Sequence, residues 1–142
     1  MAKIEFEVPG DPKALKRHRT FRRGNFVGTY DPSKSEKADF LQMVRDKAPD
    51  VPFAGPIKIT VAFEFGRPKS HYGTGRNADK LKPTAGFFHS SRPDLDNLIK
   101  FITDALDSVF YRDDAQIAQV VAEKRYGEKP RVIICIENLT RG

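Results

Sequence analysis

Six aspartates fall within residues 94–114 of this chain: Asp94, Asp96, Asp104, Asp107, Asp113 and Asp114. The sequence around them is basic, with 25 Lys and Arg against 19 Asp and Glu and a net charge of +6. Positive charge gathers phosphates, but crowded carboxylates would repel a polyanion unless a cation lay between them. Carboxylate oxygens are hard ligands that favour Mg²⁺, with Mn²⁺ as a substitute, over zinc. His18, His71 and His89 have no zinc-site spacing, and Cys135, the single cysteine, cannot form a thiolate cluster. The chemistry implied is a divalent ion held against a phosphodiester, polarising a phosphoryl oxygen and acidifying water.

Asp94 and Asp96 flank Leu95 at the mouth of an expected helix. Two residues apart on a helix they would diverge, but on an extended lead-in both can face one ligand. Asp96 and Lys100 are four apart and share a helical face, so the ammonium can offset charge developing on a phosphoryl group. Asp113 and Asp114 arrive from the following loop and could close the same site from another direction. Each part also has a plainer use. Asp94 or Asp96 could be an N-cap, Asp96–Lys100 a surface ion pair, and Asp113–Asp114 a turn. Asp104 and Asp107 are expected on the solvated side of the helix.

The elements that must position these groups can be read from periodicity. Residues 3–9 alternate as a strand and stop at the turn signal Pro9-Gly10. Residues 11–23 carry six basic residues against one acid, Asp11, and residues 25–30 suit a short strand. Ser33 or Ser35 can cap a helix running to about residue 48, with Ala38, Leu41, Val44 and Ala48 on its apolar face. Ile57 to Phe65 alternates cleanly as a strand. Residues 66–91 have no period, and Arg67, Lys69, Arg76, Lys80 and Lys82 outnumber Asp79 there. A patternless segment of that length suggests a flexible basic loop that closes on DNA, with Tyr72, Phe87, Phe88, His71 and His89 available to meet bases.

Leu95, Leu98, Ile99, Ile102, Ala105, Leu106 and Val109 then form one helical face, with Pro93 at its mouth. Residues 116–126 read as a strand with Ile117, Gln119, Val121 and Glu123 on one face, and 131–138 as a last strand. A chain of 142 residues with 39% hydrophobic content fits one domain spanning 1–142, of the α+β or mixed α/β class. No apolar run approaches the roughly 20 residues that span a bilayer, and the first residues lack the apolar centre of a signal peptide. A cytoplasmic protein with Cys135 as a buried thiol is the expectation, and nucleic acid the expected partner.

The text Arg92-Pro-Asp-Leu-Asp-Asn-Leu-Ile-Lys100, then Asp104-Ala-Leu106, then Asp113-Asp-Ala-Gln-Ile117 resembles the RusA family of Holliday-junction resolvases. Pro9-Gly10, Lys16-Arg-His-Arg19 and Tyr30-Asp-Pro32 are similar to that family's opening. The resemblance implies a small, dimeric, Mg²⁺-dependent endodeoxyribonuclease with a mixed sheet packed against two main helices. It implies Asp94, Asp96 and Asp114 as catalytic metal-binding carboxylates, Asp113 as an auxiliary ligand and Lys100 as the catalytic lysine. Asp104 would be structural or would support the metal-binding carboxylates from behind. A four-way junction has approximate two-fold symmetry, which a C2 homodimer with one site per protomer matches. Lys16, Arg17, Arg19, Arg22 and Arg23, with Lys69, Arg76, Lys80 and Lys82, would supply affinity for the DNA backbone. Two other readings stand beside this one: a DNA-binding module that does not cut, and a nuclease for other branched DNA such as flaps or forks. Binding alone would gain from losing the aspartates, so their presence with Lys100 favours cleavage. Flap or fork cleavage would need the same site and differ in groove shape.

Overall fold

The computed structural model describes residues 2–139. In chain order its elements are β1 (Lys3–Pro9), β2 (Arg19–Arg23), β3 (Phe26–Tyr30), α1 (Lys34–Val44), β4 (Ile57–Gly66), α2 (Leu95–Leu106), β5 (Ile117–Gly127) and β6 (Arg131–Asn138). Single 3-10 turns occur at Arg45–Lys47, Lys69–His71, Gly75–Asn77 and Asp114–Gln116. A four-stranded mixed sheet runs β1-β6-β4-β5, antiparallel except for the parallel pair β4–β5. A parallel pair needs a long crossover, and here that crossover holds residues 67–94 and then α2. This is the expected α+β architecture, a mixed sheet with two main helices.

Period-2 patterning makes the sheet two-faced. Phe6 and Val8 of β1, Ile57, Ile59, Val61 and Phe63 of β4, and Val132, Ile134 and Ile136 of β6 are all buried. Over them lie α2, through Leu98, Phe101, Ile102, Ala105 and Leu106, and α1, through Phe40 and Val44. Phe40 meets Phe101 edge-on at 5.8 Å, locking the two helices together. Among the described residues no helix covers the opposite face of the sheet. Its central feature is Glu64, 6% exposed, which accepts hydrogen bonds from Arg125 Nε at 2.9 Å and Arg131 Nε at 2.8 Å.

Several expectations change. The first helix ends at Val44 rather than near 48, and its buried residues are Phe40 and Val44, with Ala38 exposed. The Ser33 hydroxyl does not cap it; Ser33 Oγ accepts from the Lys16 backbone N–H at 2.8 Å instead. Cys135 is half-buried, because β6 turns its odd-numbered residues to the uncovered face. Register shifts where Ile57 faces Ile117 but Lys58 faces Gln119, leaving Ala118 as a bulge. Ile117 is therefore separated from the face of Gln119, Val121 and Glu123, and Lys124 and Tyr126 turn to the helix side opposite Phe63 and Phe65.

The 66–91 segment is pinned near its C-terminal end. Phe87 and Lys124 carbonyls accept from Tyr126 and His89 N–H groups at 2.9 and 3.1 Å, and His89 stacks on Phe65 at 3.9 Å. Burial pushes the His89 pKa down, with Lys124 adding to the effect. Lys82 N–H donates to His71 O at 2.8 Å and Gly73 N–H to Lys80 O at 3.0 Å, closing a small internal turn. The segment thus has local structure that its lack of period did not announce.

Candidate active-site cleft

The amphipathic face of α2 fixes how its polar residues are presented. With Leu98 and Ile102 in the core, Asp96 and Lys100 must turn outward, and both are exposed. Asp94 occupies the N-cap position in extended backbone (φ −71°, ψ 142°), yet its side chain makes no capping bond. Nor do Asp96 and Lys100 form an ion pair among the described residues. The plainer uses of these three side chains are not realised.

They line an open cleft of about 310 Å³ together with Asn97 and with Leu15, Lys16 and Arg17. The facing wall is held by backbone: Leu15 N–H donates to Asn97 O at 2.9 Å, and Lys16 N–H to Ser33 Oγ. The Lys16 ammonium also lies 3.1 Å from Glu36 on α1, so part of its charge is already compensated. Cations from one segment and carboxylates from another meet across the cleft, a suitable seat for a phosphodiester with a cation beneath it.

Behind Asp94, Lys124 reaches up from the sheet. Its ammonium donates to Ser91 O at 2.6 Å and Pro93 O at 2.8 Å, fastening the strand-like lead-in that carries Asp94. The Arg92–Pro93 peptide is cis. Lys124 and Asn97 were not singled out from sequence. Both act through backbone groups, which leave no mark on residue type or spacing.

Asp113 and Asp114 lie elsewhere. Asp113 caps the turn Asp114–Gln116, its Oδ1 accepting from Ala115 N–H at 2.9 Å. Gln116 holds that turn to the segment leading into β4, accepting from Arg112 and Asp113 N–H groups and donating to Phe53 O and Gly55 O, both at 2.8 Å. The Asp-x-x-Gln spacing of a capping box could have exposed this role. The Ala115 N–H holds the Asp113 carboxyl below its ordinary value. Asp114 is pushed up, first by its hydrogen bond with Asp113 and then by partial desolvation and by Asp107 and Asp104. Asp107 is not simply solvated; burial pushes its pKa up, and its Oδ1 has no hydrogen-bond partner among the described residues. Asp104 lies 3.7 Å from Lys37 of α1, a structural tie between helices.

These four aspartates gather at the C-terminal end of α2, while Asp94 and Asp96 sit at its N-terminal end. Twelve helical residues separate Asp94 from Asp107, about 18 Å of axis. The sheet gives an independent measure. Asp114 precedes Ile117 at the start of β5, whereas the lead-in to Asp94 is fastened to Lys124, seven residues along the strand, about 23 Å. Among the described residues no three His, Cys, Asp or Glu side chains converge as a metal site. One chain therefore brings together Asp94, Asp96 and Lys100 and does not bring Asp114 or Asp113 to them.

Of the basic residues, Lys16 and Arg17 line the cleft. Arg19, Arg22 and Arg23 lie on β2, which among the described residues pairs only with β3. Lys69, Arg76, Lys80 and Lys82 are exposed on the 66–91 segment, and no hydrogen bond or ion pair among the described residues joins them to the cleft. No described helix is long and apolar enough to cross a membrane.

Comparison with known proteins shows the family to which this fold belongs. The family model for endodeoxyribonuclease RusA matches residues 9–137. The chain belongs to the RusA endodeoxyribonuclease family. It is 31% identical over 144 aligned positions to YqaN of Bacillus subtilis (strain 168), described as uncharacterized, covering 96% of this chain and 97% of that one. It is also 35% identical over 80 residues to a crossover junction endodeoxyribonuclease rusA of Lactococcus phage r1t, covering 56% of this chain and 52% of the phage protein.

Proposed function

We propose that the protein is a Mg²⁺-dependent endodeoxyribonuclease that resolves four-way DNA junctions in recombination and repair by paired, symmetric phosphodiester cuts. The observation that carries this reading is the cleft itself. Two uncommitted carboxylates, Asp94 and Asp96, stand beside Lys100 and face the cationic wall of Lys16 and Arg17. The named activity of the phage relative agrees with it.

Bound Mg²⁺ would supply Lewis acidity toward a phosphoryl oxygen and a more acidic water. Asp94 and Asp96 would provide two of its hard ligands. A third carboxylate is not within reach in the same chain, so we assign it to a second copy. In a two-fold dimer, the Asp113–Asp114 end of one α2 would meet the Asp94–Asp96 end of the other. Asp114 is the better ligand of the pair, since Asp113 spends an oxygen on the Ala115 N–H. The Lys100 ammonium offsets charge on the transferring phosphoryl group, and Lys16 and Arg17 grip the flanking phosphates. Dimerisation would then be a condition of activity, and two sites per dimer would give the paired cuts. With DNA as its substrate, we place the protein in the cytoplasm.

The experiment is cleavage of an end-labelled four-way junction beside linear duplex, flap and splayed-arm controls, in Mg²⁺, Mn²⁺ and EDTA. Paired cuts confined to the junction and to divalent metal are expected. Equal cutting of flaps or forks would move the assignment to branched DNA in general. Junction binding without cuts in either metal would leave a binding module.

A further inference from the structure

β2 and β3 form a ribbon that stands apart from the sheet, and its composition has no use in the fold. A two-stranded ribbon buries little on its own. Here every residue of both strands except Gly28 is exposed. The cross-strand partners Arg19–Tyr30, Phe21–Gly28 and Arg23–Phe26 put these six residues on one face. On that face Phe21, Phe26 and Tyr30 form a continuous strip, with ring centroids 6.0 and 6.3 Å from Phe21. The three are 37%, 62% and 46% exposed.

Gly28 makes the strip possible. A Cβ there would lie 2.7 Å from the Phe21 ring, so only glycine lets that ring lie across the partner strand. Gly24, at φ +59°, turns the chain between the strands. Arg19 and Arg23 bracket the rings, with the Arg23 guanidinium 6.0 Å from the Phe21 centroid. Residues 12–30 hold six Lys and Arg and no Asp or Glu.

Three exposed rings on a purely cationic arm call for a partner that is polyanionic and also offers flat apolar faces. Unstacked DNA bases meet both conditions. Duplex DNA hides its base faces in the stack, whereas a branch point interrupts stacking. We propose that the Phe21–Phe26–Tyr30 strip stacks on bases unstacked at a DNA branch point, and that it sets the distance from the branch to the cut. This rests on the DNA-cleaving reading above and adds to it a device for recognising structure.

The anchoring of the ribbon supports the second half of the proposal. Its leading end continues directly from Lys16 and Arg17 in the cleft. Its trailing end is fastened at Asp31, which pairs with Lys37 at 2.6 Å and accepts from Ser33 N–H at 2.9 Å, while Lys37 also meets Asp104 of α2. Phe21 follows Arg17 by four residues, at most roughly 14 Å of extended chain. That span is about four base steps of one strand. Phosphates in the cleft and bases on the strip would thus belong to the same short stretch of DNA.

The test uses the full-length protein with a four-way junction carrying 2-aminopurine at branch-flanking positions, and a matched duplex carrying it internally. Binding is measured in EDTA with no metal present, so that cleavage plays no part. We expect fluorescence to change on the junction and not on the duplex. Phe26→Ala with Tyr30→Ala should weaken junction binding roughly tenfold, within the range for one lost base–aromatic stack, and leave duplex binding and its salt slope unchanged. Phe26→Trp should preserve the preference and Phe26→Leu, which keeps apolar area without a ring, should not. If the alanine variant proves unfolded by circular dichroism, the Leu and Trp pair decides. Equal losses on junction and duplex, or no loss on either, would overturn the proposal. A shift from dimer to monomer in sedimentation would overturn it too, by assigning the strip to a second copy of the chain. Failure to cut any DNA would sink the resolvase reading without touching the fluorescence result.

Discussion

Asp96 and Asp114 lie at opposite ends of α2, the one in the first helical turn and the other beyond the C-cap among Asp104, Asp107 and Asp113. The helix between them sets a separation on the order of 20 Å, several times the reach of two carboxylates on one ion. If both serve one site, the site spans two chains. Mixing inactive variants tests this directly. Asp96→Asn and Asp114→Asn should each abolish cleavage, but a heterodimer of the two retains one site in which both residues are native. We expect that heterodimer to nick junctions while both parent homodimers do not. A heterodimer as inactive as its parents would show that the carboxylates do not act across chains.

Within the cleft, Asp96 and Lys100 should separate binding from chemistry. Asp96→Asn removes a ligand and a negative charge together, so junction affinity should hold or rise while cleavage is lost. Lys100→Ala should slow single-turnover cleavage roughly 100- to 1000-fold, as expected for one lost charge-stabilising donor, with little change in affinity. If affinity collapses in a folded Lys100→Ala protein, that lysine docks DNA rather than assisting catalysis.

Lys16 and Arg17 line the cleft and Arg19 opens the ribbon, and the role expected of all three is electrostatic. Replacing all three by Gln should weaken junction and duplex binding together. The slope of log K against log[salt] should flatten by about 0.9 for each phosphate contact removed. An unchanged slope would take this segment out of the DNA interface.

What the sequence disclosed follows from where burial imposes a period. β4, β6 and α2 each present one face to the core, so Ile57–Phe65, residues 131–138 and the Leu98–Leu106 stripe are legible. β2 was not, because a ribbon that packs on nothing has no buried face, and four of its five residues are Arg or Thr. One bulged residue at Ala118 was enough to change sides for Ile117 relative to Gln119. The chemically apt residues were visible by type, and the cleft unites Asp94, Asp96, Lys100, Lys16 and Arg17. Their separation from Asp114 was hidden, because nearness in sequence carries no notice that a full helix stands between.

Lys124 should prove a positioning residue. Its two bonds, to Ser91 O and Pro93 O, hold the lead-in to Asp94 from below. Lys124→Met keeps the length of the stem and removes both donors, so Asp94 loses its fixed placement while the DNA-facing cations stay. We expect kcat to fall about tenfold or more with KM little changed, since small misplacements cost rate more than binding. Lys124→Arg should restore part of the loss. An equal loss of affinity would mean that the ammonium contacts DNA.

The Glu64 network on the uncovered sheet face should govern acid stability. Arg131, with Arg125 beside it, holds the Glu64 carboxyl below its ordinary value of 4.5 against the opposing effect of burial. A carboxyl depressed in the folded state contributes stability that is fully present above its unfolded pKa and is lost as pH falls through the folded value. Glu64→Gln removes that contribution at every pH, leaving Arg125 and Arg131 without their shared acceptor charge. It should cost about 2 kcal/mol near pH 7, as expected for lost hydrogen bonds to a buried charged group. The gap between the two proteins should begin to close below about pH 4.5 and go on closing as native Glu64 takes up its proton. Urea unfolding of both proteins from pH 7 down to pH 3 measures this directly. A constant gap across that range would mean that Glu64 stabilises by packing and not by its charge.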